Sequence, residues 1–312
     1  MIKRLLIHPE ELSKKWIDRM ASANIDVLGL HPVGGEESHR HIEKMLSLLK
    51  TEEYRALLDY AVSRGLKIEY EMHAASFLVP RELFDKHPEY FRMDETGART
   101  PHLNFCFSNP EAMEIALTNA EKLAENLYAS EPNFYFWLDD DAKGSGCRCE
   151  KCRAYSFSDQ QLIFENALIG RLRRKNPNAA ISHLAYYQAM RPPKTIQPGE
   201  GIFLEYAPIE RDMKRSLVSQ GADDKHIHAL LNFFGRKNAR VLEYWFDNSY
   251  FSSWKKPPKP FKADSALIKE DISFYSALGF DNIASFACYL GEDYEALHGE
   301  VDISAFEQRE NT

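Results

Sequence analysis

Short apolar runs alternate along this chain with longer stretches in which apolar residues recur every three or four positions. Runs of the first kind read as strands buried on both faces and stretches of the second as amphipathic helices. Their alternation predicts parallel βαβ units. The runs that read as strands are Ile2 to His8, Ile25 to Leu30, Leu66 to His73, Asn133 to Asp139, Ala180 to Tyr186, Gly201 to Tyr206, Arg240 to Phe246 and Asn282 to Tyr289. Between them the pattern predicts helices over Glu11 to Ser22, Thr51 to Arg64, Pro110 to Tyr128, Ser158 to Lys175, Lys225 to Asn238 and Ala266 to Leu278. Ser108-Asn109-Pro110-Glu111 and Ser158-Asp159-Gln160-Gln161 supply capping side chains ahead of first turns, and Gly65 and Gly279 supply stops.

Eight strands with helical crossovers fit a single closed (β/α)8 TIM barrel over residues 1–312 better than an open doubly wound sheet. The connection after the sixth strand, Ala207 to Asp224, carries the weakest helical pattern. Long loops are expected after strands 3, 4 and 7, on the rim where barrel enzymes keep their active sites. Arg191-Pro192-Pro193 and Lys255-Lys256-Pro257-Pro258-Lys259-Pro260 read as stiff loops on the same rim.

With 44% hydrophobic and 28% charged residues, the chain can bury a sizeable core without disulfides. A net charge of −8 argues against nucleic acid or an anionic membrane as the main partner. The basic cluster Arg171 to Lys175 falls at a helix end, where cations suit the dipole. The apolar residues before His8 are too few for a signal peptide, and no later run approaches a membrane span. A cytoplasmic location is therefore expected, with reduced thiols.

The chemistry concentrates at strand ends. Phe134-Tyr135-Phe136-Trp137-Leu138 leads straight into Asp139-Asp140-Asp141, three carboxylates that repel one another unless solvent, a metal or nearby donors compensate. Read as a ring, the strand ends contribute His31, Glu71 and His73, the aspartate run, His183 and Tyr186, Glu205 and Tyr206, Trp245, Asp247 and Asn248, and Tyr289. Sugar-cleaving sites need this mixture: carboxylates to move protons, aromatic faces to stack on pyranose rings, and donors for hydroxyls. A glycan or oligosaccharide is thus the expected partner. Against the functional reading, His31 before Pro32 reads as a loop residue, His183 reads equally as a satisfied core histidine, and Trp137 reads as core. Glu69 and Glu71 share strand parity and point the same way, where an arginine in the barrel could pair with one of them.

Cys147-Arg148-Cys149-Glu150-Lys151-Cys152 is the sharpest local motif. A C-x-C-x-x-C triplet could clasp a structural zinc with Cys106 as fourth ligand, the alternatives being free thiols or a disulfide in an oxidising compartment.

Several segments together resemble the domain-of-unknown-function 4838 family, whose characterised members form glycoside hydrolase family 163. They are Leu83-Phe84 with His87-Pro88-Glu89-Tyr90-Phe91, Asn104 through Glu111, the cysteine triplet, Ser158-Asp159-Gln160 with Asn166, Leu184-Ala185-Tyr186, Arg191-Pro192-Pro193-Lys194 and Ala207-Pro208-Ile209-Glu210-Arg211. The resemblance implies a TIM-type barrel that hydrolyses β-linked N-acetylglucosamine in glycans. It further implies retaining, substrate-assisted catalysis, in which the sugar's acetamido oxygen attacks the anomeric carbon. One of two neighbouring carboxylates after strand 4 then polarises the amide and the other protonates the leaving oxygen, with no catalytic cofactor. Asp139 with Asp140 and Asp140 with Asp141 are both open as the pair, the leaning being Asp140 as polarising residue and Asp141 as acid/base. By position His73, Tyr186, Glu205, Tyr206, Arg211, Trp245 and Asp247 are expected to hold the sugar. Two readings compete: a metal-dependent sugar isomerase or hydrolase using Glu71, His183, Glu205 and Asp247, and a carbohydrate-binding barrel without catalysis.

Overall fold

The computed structural model describes residues 1–139, 144–221 and 225–306. Eight parallel strands close into a barrel in chain order. They are β1 (Ile2–Ile7), β2 (Val27–Leu30), β3 (Lys67–His73), β4 (Asn133–Trp137), β5 (Ala180–Ala185), β6 (Ile202–Tyr206), β7 (Arg240–Glu243) and β8 (Asn282–Phe286). Closure runs from Ile2 against Asn282 to Leu6 against Phe286. The helices among the described residues are α1 (Lys14–Ser22), α2 (Ser38–Leu48), α3 (Glu52–Ser63), α4 (Ala75–Leu78), α5 (Pro110–Asn126), α6 (Phe157–Lys175), α7 (Lys225–Phe234), α8 (Asn248–Phe251), α9 (Ser265–Ala277) and α10 (Glu292–His298).

Each expected strand is present, most of them shortened at the end that meets the rim. The helix α2 is an addition between β2 and β3. It is rich in His, Arg and Ser and buries only Ser38, Ile42 and Met45, so its apolar stripe is too thin to read as a helix from sequence. Asn109 caps α5 as expected, accepting from the backbone of Glu111 and Ala112. For α6 the cap is Ser156, in a capping box with Asp159, two residues ahead of the expected start.

Two cores result. The larger lies between the barrel and its helices and includes Trp16, Ile42, Phe136, Phe164 and Tyr275. The smaller fills the barrel with Leu6, Tyr135, Trp137, Leu184, Phe203, Leu242, Ala284 and Phe286. Gly29 of β2 permits this filling, because a Cβ there would come within 2.8 Å of the Leu6 side chain.

Below this apolar layer sits a charged one. Arg4 of β1 reaches Glu69 and Glu71 of β3, each at 3.1 Å, and Glu205 of β6 at 2.8 Å, all with side chains almost wholly buried. Arg240 adds a second cation at 3.4 Å from Glu69 and contacts the Tyr135 hydroxyl. Both glutamates of β3 are thus paired with arginine, as their shared parity allowed. Glu205 is corrected from sugar ligand to barrel interior: it lies below the rim, neutralising Arg4 and accepting from Ser182 Oγ at 2.6 Å.

Candidate active site

The rim at the strand C-termini encloses a cavity of about 450 Å³, within the range of small-molecule sites. Its floor is the inward parity of the first three strands continued past their ends: His8 after β1, His31 after β2 and His73 at the end of β3. Each of these histidines uses Nδ1 against a backbone carbonyl, namely His31 O at 2.8 Å, Glu71 O at 2.8 Å and Leu138 O at 2.6 Å. A carbonyl only accepts, so Nδ1 carries the proton in all three. Burial lowers the pKa of His8 and drives that of His31 well below its ordinary value, the neighbouring imidazoles adding to the effect on His31. Neutral rings with Nδ1–H fixed leave Nε2 of His8 and His31 as acceptors suited to hydroxyl donors. His31 is the loop residue after β2 that its place before Pro32 suggests, and it also lines the cavity. His8, at the end of the N-terminal apolar run, is a further cavity residue that the ring of strand ends does not include. The signal for it was the recurrence of histidine at or just past the ends of three successive strands.

The walls are aromatic. Trp137 packs beneath His31 and His73, with ring centroids 5.9 and 5.3 Å away. Tyr186 and Tyr187 stand on one side, Tyr244 and Tyr289 on the other, and Trp254, 60% exposed, stands at the mouth. Three of these wall residues occupy left-handed backbone, Tyr187 at φ 41°, Trp254 at φ 54° and Tyr289 at φ 61°. Bulky residues adopt that region at a cost of about 1–3 kcal/mol each, and only where the surroundings over-determine them. Here they do. The Tyr289 amide donates to the buried Glu11 carboxylate at 2.7 Å, and the Trp254 amide to Ser249 O at 2.7 Å.

Asp247 is the carboxylate of the cavity among the described residues. It caps α8, its Oδ1 accepting from the amides of Ser249 at 3.0 Å and Tyr250 at 3.3 Å and from Ser249 Oγ at 2.5 Å. Burial pushes its carboxyl up to about 6, against those hydrogen bonds, which favour the charged form.

Of the residues expected from sequence to hold a sugar, the structure brings His73, Tyr186 and Asp247 to this cavity. The others lie elsewhere. Tyr206 is on the outer face of β6, its ring 6.3 Å from that of Tyr275. Arg211 is locked to Glu243 at 3.1 Å and Asp271 at 2.6 Å, and Trp245 donates its indole N–H to the same Asp271 at 3.0 Å. Arg211 and Trp245 thus stitch the β6 and β7 loops to α9 from behind the rim. The ligand set of the metal-dependent reading does not converge either. Glu71 and Glu205 serve Arg4, and His183 is a buried core histidine that faces outward, its Nδ1 on Glu165 at 2.8 Å and its Nε2 without a hydrogen-bond partner.

Asp139 is wholly buried and turned away from the cavity. Its carboxylate accepts from Ser38 Oγ, from the Ser76 amide at 2.5 Å and from Ser76 Oγ at 2.9 Å. Its backbone is held on both sides by Asn104, at 2.8 Å to the amide and 3.0 Å to the carbonyl. Burial raises its pKa, with the Ser38 hydrogen bond opposing. These bonds make it an anchor rather than a catalytic group. Asp140 and Asp141 lie outside the described residues. The chain that enters that segment does so beside the cavity, since Asp139 shares a small hollow with Leu184, Tyr186 and Tyr187.

The three cysteines of the triplet and Cys106 converge. All are buried and unpaired by disulfides, and their sulfurs lie within 4.8 Å of one another. No helix among the described residues is long and apolar enough to cross a membrane.

A family model described as a domain of unknown function (DUF4838) matches residues 39–300. No functionally curated protein matches the chain in sequence. Among solved structures, the fold is similar to a β-galactosidase from the psychrophilic Marinomonas ef1, with TM-score 0.56 and 14% identity, covering 98% of this chain and 58% of that one. It is also similar to endo-glycoceramidase II from Rhodococcus sp., with TM-score 0.50, 8% identity and coverage of 92% and 73%. A third likeness is to a family 89 glycoside hydrolase from Clostridium perfringens solved with GlcNAc-α-1,4-galactose, with TM-score 0.50, 10% identity and coverage of 98% and 36%. The chain therefore spans little more than half of that galactosidase and about a third of the family 89 enzyme. These likenesses show the barrel fold.

Proposed function

The chain belongs to the domain-of-unknown-function 4838 family, and on that premise we propose that it is a glycoside hydrolase acting on β-linked N-acetylglucosamine in glycans. The observation that carries this reading is the cavity itself, in which aromatic rings on strained backbone surround a buried carboxyl and neutral imidazoles. Strain of that kind is kept where rings must stand in a fixed place, and stacking on the apolar face of a pyranose is such a task. Trp254 at the mouth offers the outermost stacking face, and Asp247 with His8 and His31 offers acceptors for hydroxyls.

In this reading hydrolysis is retaining and substrate-assisted. The sugar's acetamido oxygen displaces the aglycone at the anomeric carbon, giving an oxazoline ion that water opens. Asp140 polarises the amide, and Asp141 gives its proton to the leaving oxygen and takes one back from the water. With Asp139 committed to Ser38 and Ser76, Asp140 with Asp141 is the pair that fits. Asp247 then acts as a binding residue.

The test is a panel of chromogenic β-glycosides and complex N-glycans incubated with the protein and read by mass spectrometry. Release of an N-acetylglucosamine-terminated product supports the reading, whereas glycan binding without product would leave a lectin-like barrel. Asp247→Asn makes the site assignment specific. Asparagine caps helices as well as aspartate does, so α8 is retained. The variant is expected to raise KM about tenfold, the cost of roughly one charge-assisted hydrogen bond. Because the ionised carboxylate is the better acceptor, kcat/KM of the parent should rise with pH through about 6. In the variant that limb should be absent. A limb unchanged in Asp247→Asn would remove Asp247 from the site.

A further inference from the structure

We propose that Cys106, Cys147, Cys149 and Cys152 form a tetrathiolate zinc site that clamps the β3 and β4 loops together over the rim. The sulfur of Cys106 lies 3.7 Å from that of Cys149, 3.9 Å from that of Cys152 and 3.7 Å from that of Cys147. Four sulfurs bound tetrahedrally at the usual zinc–thiolate length of about 2.3 Å stand about 3.8 Å apart along each edge. The three edges that meet at Cys106 already have the length of the filled site, and all four sulfurs lie within 4.8 Å of one another. A disulfide would instead bring two sulfurs to about 2.05 Å and break the four-fold arrangement.

The surroundings are those of thiolates rather than of apolar thiols. The Met93 amide points at the Cys147 sulfur at 3.4 Å, with Arg99 Nη1 3.9 Å from the same atom. Ser108 Oγ stands 3.2 Å from Cys152 and 3.5 Å from Cys149, placing a hydroxyl donor over one face of the tetrahedron. Zn²⁺ with four thiolates carries a net charge of −2, and these donors and the guanidinium disperse it. Binding is balanced as four thiols and one Zn²⁺ giving the tetrathiolate and four released protons. An all-sulfur set with no open position suits a structural zinc. The fifth cysteine, Cys288, is remote from the cluster, buried on the cavity wall near His8.

The ligands come from two separate stretches, Cys106 before α5 and the triplet after β4. Asn104, two residues ahead of the first ligand, holds both the Asp139 backbone and the Ser145 carbonyl, the latter at 3.0 Å. Gln160 of α6 donates to the Cys147 carbonyl at 3.2 Å and accepts from its amide at 2.9 Å. The metal therefore fixes the chain on both sides of the segment that bears Asp140 and Asp141, as a positioning device.

The experiment uses the full chain, produced in zinc-supplemented medium and purified under reducing conditions without chelator. Elemental analysis is expected to give about one zinc per chain, and X-ray absorption about four sulfur neighbours near 2.3 Å. Protein produced with cobalt should show the intense visible absorption of a tetrahedral tetrathiolate. Cys149→Ser should lose the metal or replace one sulfur by oxygen in the absorption spectrum, while Cys288→Ser should keep both. The first two measurements need no variant, so a misfolded substitution cannot decide the matter. Metal-free protein with freely titrating thiols, bound iron in place of zinc, or zinc held by nitrogen and oxygen would each overturn the proposal.

Discussion

Asp141→Asn is expected to lower turnover of a β-N-acetylglucosaminide with a poor leaving group by about 10²- to 10⁴-fold, the usual worth of a general acid. The substitution removes the proton that the departing oxygen requires and changes the volume of the side chain little. The melting temperature should therefore stay where it is. The leaving group makes the prediction selective. A nitrophenolate departs with little help from an acid, so the same variant should lose far less activity on the nitrophenyl glycoside than on a natural glycan. Asp140→Asn, in contrast, weakens attack by the acetamido oxygen and should slow both substrates alike. Comparing kcat/KM on the two substrates checks this, because that ratio excludes the later step in which Asp141 takes a proton from water, and equal losses in Asp141→Asn would take the acid role from Asp141.

Arg4→Met is expected to be the most damaging single change to stability. Burial would lower the pKa of Arg4, but the attraction of Glu71, Glu205 and Glu69 outweighs it and holds the guanidinium charged. Burial also pushes the Glu71 and Glu205 carboxyls up, although Arg4 pulls them down. Removing the cation leaves three carboxyls in the barrel with only Arg240 beside them. Breaking such a buried pair costs about 3–5 kcal/mol, which in a chain of this size lowers the melting temperature by roughly 5–8 °C. Thermal denaturation followed by circular dichroism measures it. Adding Glu71→Gln and Glu205→Gln to Arg4→Met should recover part of the loss, because the uncompensated charge disappears. A triple variant no more stable than the single one would refute the electrostatic account.

The barrel was legible because its strands are short, largely apolar segments spaced by amphipathic helices, and that alternation is visible in the sequence. The helix α2 was not, since three buried positions in a polar stretch make no stripe. Among site residues, legibility followed strand parity. His73, Tyr186 and Asp247 were read from strand ends and do reach the cavity. Glu205 is one pleat below the rim, and a single sequence does not say how deep in a barrel a given strand position sits. Trp245 and Arg211 were drawn to the site by their residue types. Whether they face inward or toward α9 depends on where the chain leaves β7, which ends at Glu243, three residues before the expected Phe246. Cysteine spacing carried further, because C-x-C-x-x-C and Cys106 do meet in space.

The charged layer also bears on how the chain comes to be folded. Glu205 follows Arg4 by 201 positions. At about 5–20 residues per second, a ribosome takes about 10–40 s to supply that partner after Arg4 has been made. During that interval the first strand can pair with the second, yet its guanidinium must stay hydrated or lean on Glu69 and Glu71 alone. The barrel can therefore shut only late in synthesis. Until then the half-built sheet has two open edges.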